Sequence, residues 1–180
     1  MKKHGTLTLV LVLLCIFSSV SFGGESLFKA VSEGNEAVVK KMLAEGAEVD
    51  ARDEIGATPL IIAADKGFLP IAKLLIQNGA DVNAQNNLRW TALMFASGSG
   101  HLEISKLLVE KGANLNVISK SDYTALILAS ASGYAEIVEL LLEKGVDVSL
   151  KKKDMTAREW AKKLDEQDVL KVFEEFSREP

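Results

Sequence analysis

The sequence predicts an all-α solenoid of about five helix-turn-helix units joined by hairpin-like loops. Two observations carry that expectation. Five residue series recur in one register at a 33-residue step, and within each step the apolar residues fall at helical rather than alternating spacing. Length and composition agree, since 180 residues, 48% of them hydrophobic and 26% charged, suffice for one continuous core. Aromatics make up only 6%, which suits packing of small and aliphatic helix faces better than a β-sandwich.

The series are Gly34, Gly67, Gly100 and Gly133, then Gly46, Gly79, Gly112 and Gly145. Ala30, Ala63, Ala96 and Ala129 keep the same step, as do Met42, Leu75, Leu108 and Leu141. Thr58, Thr91 and Thr124 follow it too, and Thr156 arrives one residue early. Each unit opens on that threonine, whose hydroxyl suits a helix N-cap. Pro59 then takes the first helical position, where no N–H is missed. The small alanine lies one turn on and permits close approach of a neighbouring helix. The first glycine can take the left-handed conformation that ends this short helix. A second helix follows: over Leu102–Lys111, the residues Ile104, Leu107 and Leu108 form one apolar stripe, and Gly112 closes it. Asp50, Asn83, Asn116 and Ser149 come next, with short side chains expected to bond nearby backbone and start a turn.

These motifs resemble the ankyrin repeat. Thr58-Pro59-Leu60, Gly100-His101 and Gly79-Ala80-Asp81-Val82-Asn83 match that family's pattern, and Gly112-Ala113-Asn114-Leu115-Asn116 is a close variant. The likeness covers about Glu25 to Phe176, within a repeat domain at 24–180. Full units are expected at 57–89, 90–122 and 123–154, with a partial unit at 25–56 and a closing unit at 155–176. The chain also departs from the pattern. The family's histidine after Thr-Pro-Leu, which ties repeats together by hydrogen bonds, is replaced by Ile61, Met94 and Ile127, so cohesion is expected to be more hydrophobic. The loop glycine stands as Gly56 but becomes Arg89 and Asp122, which puts a shared turn in doubt for the later loops. Arg158, Glu159, Lys162, Lys163, Asp165, Glu166 and Asp168 give the closing unit the polar outer face that a terminal repeat needs.

The first 23 residues read differently. A basic start, Met1-Lys2-Lys3-His4, precedes an apolar run at Leu7–Phe17 broken only by Thr8, and Ser21-Phe22-Gly23 supplies small residues for cleavage. This is the order of a secretory signal peptide, expected to be cut after Gly23 rather than kept as an anchor. The run is short for a membrane span. Leu14 before Cys15 does not fit a lipoprotein box. Cleavage would remove the single cysteine, and loss of Lys2 and Lys3 would take the net charge from −4 to −6. A secreted chain without disulfides fits a bacterial periplasm, so a periplasmic or secreted location is expected.

No catalytic constellation is legible, and no enzyme activity is expected. His101 would be the one histidine left, in the family's Gly-His position, where a structural role is expected. One His and no Cys make neither a zinc site nor a supported nucleophile. No phosphate-cradling glycine loop occurs, so neither cofactor nor metal is expected. Glu136, Glu139 and Glu143 read as a solvated helix face, and Lys151-Lys152-Lys153 as a solvated basic tip. The acidic balance disfavours nucleic acid.

The resemblance implies binding of another protein by a monomer, through loop tips and first helices that form a concave face, without a membrane partner once the leader is removed. In the family's register this face includes Glu54, Ile55 and Ala57 at one loop, with Asp65 and Lys66 on the helix beyond it. Gln85, Asn87, Leu88 and Trp90 follow at the next loop, with Ser99 beyond. Ile118, Lys120, Tyr123 and Ser132 complete it. Trp90 and Tyr123, one step apart, either anchor a partner or shield the repeat interface. The expected role is an exported adaptor or scaffold; the alternative is an inhibitor or immunity protein that blocks one enzyme or toxin.

Overall fold

A computed structural model describes residues 26–178, so the proposed leader at 1–23 lies outside the described residues. Among the described residues ten helices form five antiparallel pairs: α1 (Leu27–Ser32) with α2 (Glu36–Ala44), α3 (Pro59–Lys66) with α4 (Leu69–Gln77), α5 (Ala92–Gly98) with α6 (Leu102–Glu110), α7 (Ala125–Ala131) with α8 (Ala135–Glu143), and α9 (Ala157–Leu164) with α10 (Gln167–Phe176). The odd-numbered helices stack side by side in one layer and the even-numbered ones in a second. A two-residue ladder, β1 (Lys151–Lys152) against β2 (Met155–Thr156), leads into α9. The first unit contributes both helices, with α1 six residues long against eight in α3.

Local chemistry starts each unit as expected. The Thr58, Thr91 and Thr124 hydroxyls accept from the N–H groups of Ile61, Met94 and Ile127 at 3.4, 3.3 and 3.1 Å. At Thr156 the cap is reciprocal, because Glu159 also accepts from the Thr156 N–H at 2.7 Å. Ala63, Ala96 and Ala129 are fully buried between first helices, and only so small a side chain lets the helices approach that closely. Leu75, Leu108 and Leu141 are fully buried at the equivalent place in the second layer, each worth roughly 1.5–3 kcal/mol of burial. Ile61, Met94 and Ile127 are buried at 2%, 1% and 1% exposure. Packing therefore does there what hydrogen bonds would do in the consensus.

The opposite end of the first three units is held by rings, and that of the fourth by the Glu166 carboxylate against Gly133. Gly67 ends α3 at φ 76°, and a Cβ there would meet the His101 ring at 2.6 Å. The same ring, protonated on Nε2, donates to the Asp65 carbonyl at 3.1 Å. His101 thus has a structural role, joining two units. Phe68 against Gly34 and Tyr134 against Gly100 repeat the ring-on-glycine contact.

One expectation needs correction. Asp50, Asn83 and Asn116 do not bond nearby backbone. Their side-chain oxygens accept from the N–H groups of Asp81, Asn114 and Asp147 in the following unit, at 3.0, 2.7 and 2.8 Å. The local turn is made instead by Asp81, Asn114 and Asp147, which each accept from the N–H two residues on. Ser149 alone stays local, bonded to Asp147.

Candidate protein-binding edge

Four loop tips, at 52–57, 85–90, 118–123 and 151–156, precede α3, α5, α7 and α9. In the first three, one side chain clasps the turn. Asp53 Oδ1 accepts from Ile55 N–H and Ala57 N–H at 3.0 and 2.8 Å. Asn86 Oδ1 accepts from Leu88 N–H and Trp90 N–H, both at 2.9 Å. Ser119 Oγ accepts from Ser121 N–H and Tyr123 N–H at 3.3 and 3.0 Å. Sequence reasoning missed these residues, although they too stand 33 apart. The doubt about the later turns is overturned as well: Gly56, Arg89 and Asp122 share the left-handed region at φ 74°, 62° and 61°. That conformation costs a non-glycine residue roughly 1–2 kcal/mol, which the clasp's two hydrogen bonds to flanking N–H groups offset.

Backbone bonds then join tip to tip. Asn87 N–H donates to Ile55 O, and Lys120 N–H to Leu88 O, both at 3.0 Å. Arg52 Nη1 spans the first two tips, donating to Gly56 O at 2.9 Å and Gln85 O at 2.7 Å. Lys152 spans the last two, its Nζ donating to Ser121 O at 2.9 Å. Lys152 is only 9% exposed, so the basic tip is not uniformly solvated. Its Nζ also lies 3.3 Å from the Tyr123 ring centroid, a cation–π contact in which the negative face of the ring attracts the ammonium. The Tyr123 and Trp90 centroids are 5.6 Å apart, and Trp90 continues to Phe95 at 5.1 Å.

The predicted residues divide into two groups. Glu54, Asn87 and Lys120 are exposed on the tips. Ile55 and Leu88, at 60% and 56%, are the two most exposed large apolar side chains among the described residues. Gln85, Ile118, Trp90 and Tyr123 are half-buried beside them. Gln85, Ile118 and Lys120 also line an open hollow of about 470 Å³, together with Arg89 and Asp122. Asp65, Lys66, Ser99 and Ser132 are exposed too, but at the far ends of the first helices, roughly 12 Å along an eight-residue helix. Ala57 is 3% exposed and belongs to the core: it sits one residue before the threonine cap, where the chain has already turned inward. Trp90 and Tyr123 pack against each other with their rings tilted at 49° and against the core, while their remaining surface borders the tips.

Among the described residues no group of three or more His, Cys, Asp or Glu gathers as a metal would need, and no helix is long and apolar enough to cross a membrane. Two carboxyls titrate below their ordinary range. For Asp147 the cause is the Ser149 hydroxyl and then its N–H. For Glu159 it is the Thr156 N–H and then its hydroxyl. Both support loop bases rather than a reactive centre.

A family profile of ankyrin repeats in three copies matches residues 2–86 and 82–154. Its first match begins ahead of the described residues and runs through the segment read as a leader. No curated protein matches the chain.

Proposed function

The chain belongs to the ankyrin-repeat family, whose repeats generally bind other proteins, and on that premise we propose that it is an exported adaptor or scaffold gripping its partner by the loop-tip edge. The observation that carries the reading is the Ile55–Leu88 pair. Two large apolar side chains stand in water on adjacent tips whose backbones are hydrogen-bonded to each other. Isolated exposed leucines are ordinary, but a rigid apolar pair beside half-buried aromatics is the composition of a binding anchor. Preorganisation lowers the ordering entropy that binding would otherwise cost.

The test is capture from an extract of the native host. Immobilised chain and the back-face variant Lys106→Ala with Glu139→Ala should retain the same proteins. Ile55→Ser with Leu88→Ser should lose them, with helical circular dichroism unchanged. Equal retention by all three would contradict the reading. A hydrolase or toxin as the sole retained protein would convert the adaptor into an inhibitor or immunity protein. Export is tested separately by N-terminal sequencing of native material, expected to begin within two residues of Gly24. A chain that keeps Leu7–Phe17 would refute it.

A further inference from the structure

The loop row changes character along its length. The first two tips offer Ile55 and Leu88. From the second tip onward the exposed charges are Arg89, Lys120, Lys151 and Lys153, opposed by Asp122 and Asp154, with Glu159 beside Lys151. This local excess of cations occurs in a chain whose net charge is −4. The acids that outnumber them lie largely elsewhere, as on α8 and α10, where Glu136, Glu139, Glu143, Glu174 and Glu175 are exposed. The hollow lined by Arg89 and Lys120 sits between the two regions.

We propose, resting on the loop-edge reading, that this row takes an acidic segment of a partner protein carrying apolar side chains at one end. The apolar end sits on Ile55 and Leu88, and the carboxylates run over the hollow toward Lys151 and Lys153. Packed helices stand about 8–10 Å apart, so three unit steps from the first tip to the fourth make roughly 24–30 Å. An extended chain rising about 3.3 Å per residue covers that with some nine residues. The row does not rearrange to receive it, because the first three tips are clasped internally, the fourth is closed by its ladder, and neighbouring tips are bonded to each other. Complementary charge sets orientation and speeds encounter, while the apolar pair supplies residence time.

The probe is a fluorescein-labelled nine-residue peptide, Leu-Phe-Gly-Ser-Glu-Asp-Glu-Glu-Glu, titrated with the full chain by anisotropy. It should bind at least tenfold more tightly than the same peptide with every acidic residue replaced by lysine. Lys120→Glu with Lys151→Glu should weaken it at least tenfold, and the neutral pair Lys120→Gln with Lys151→Gln should weaken it less. Ile55→Ser with Leu88→Ser should also cost at least tenfold. No preference over the lysine peptide overturns the proposal, as does tighter binding to phosphatidylglycerol vesicles or to a single-stranded oligonucleotide. If the apolar pair matters and the lysines do not, the loop-edge reading stands and only the acidic partner falls. If binding is indifferent to both pairs, the loop edge itself is the wrong surface.

Discussion

Three buried hydroxyls show how single residues are tuned, or left untuned, in this chain. Ser97, Ser105 and Ser130 are fully buried, and their Oγ atoms have no hydrogen-bond partner. One unit before Ser97, and two before Ser130, the same position holds Ala64, also fully buried, so the site accepts alanine. Ser97→Ala with Ser130→Ala should leave the urea midpoint unchanged or raise stability by up to about 1 kcal/mol per site. A loss larger than that would mean the hydroxyls are bonded. Glu159 makes the opposite case. Its folded carboxyl titrates below the ordinary 4.5, so its contribution is present above that value and lost as pH falls through the lower folded one. Stability should drop on acidification from about pH 4.5, and Glu159→Gln should flatten that fall in urea midpoints taken across pH. The threonine caps were legible in the sequence because their bonds are local. The clasp was not, because Asp53, Asn86 and Ser119 do one job with three chemistries. Arg89 and Asp122 misled for a related reason: the turn needs a conformation, and two bonds to the clasp can hold a non-glycine in it.

At the scale of the element, the helices follow the sequence closely. The second helix of the third unit was expected over Leu102–Lys111 and occupies Leu102–Glu110, with Ile104 and Leu108 buried and Leu107 half-buried. Leu108 is fully buried with α4 and α8 on either side of its helix. Leu108→Ala should therefore cost roughly 2–5 kcal/mol, whereas the exposed Glu110→Ala should lie within about 0.5 kcal/mol. Matching urea midpoints would disprove the packing register. The bonds between elements were less legible. A periodic sequence fixes what recurs but not whether Asn83 reaches its own unit or the next. Since it reaches the next, Asn83→Ala should cost about 1 kcal/mol, and Ser149→Ala, whose bond is local and exposed, should cost less.

Over the whole molecule the stack is a chain of nearest-neighbour contacts, joined by packed helices at every step, by rings on glycines at the first three, and by bonds between successive loop tips. The 33-residue step was enough to read the solenoid and the edge that holds the tips. It could not read which side chains stay in water there. Ala57 turned inward, Trp90 and Tyr123 packed together with tilted rings, and Lys152 was drawn against the Tyr123 face, while Ile55 and Leu88 remained outside. The central claim is that a partner protein sits on this edge, and hydrogen exchange of the complex with whatever partner the capture yields tests it most directly. Added protection should concentrate in 54–57, 87–90 and 118–123, leaving α6 and α8 as in the free chain. Protection on 102–110 and 135–143 with the tips unchanged would place the partner on the back of the stack and contradict it.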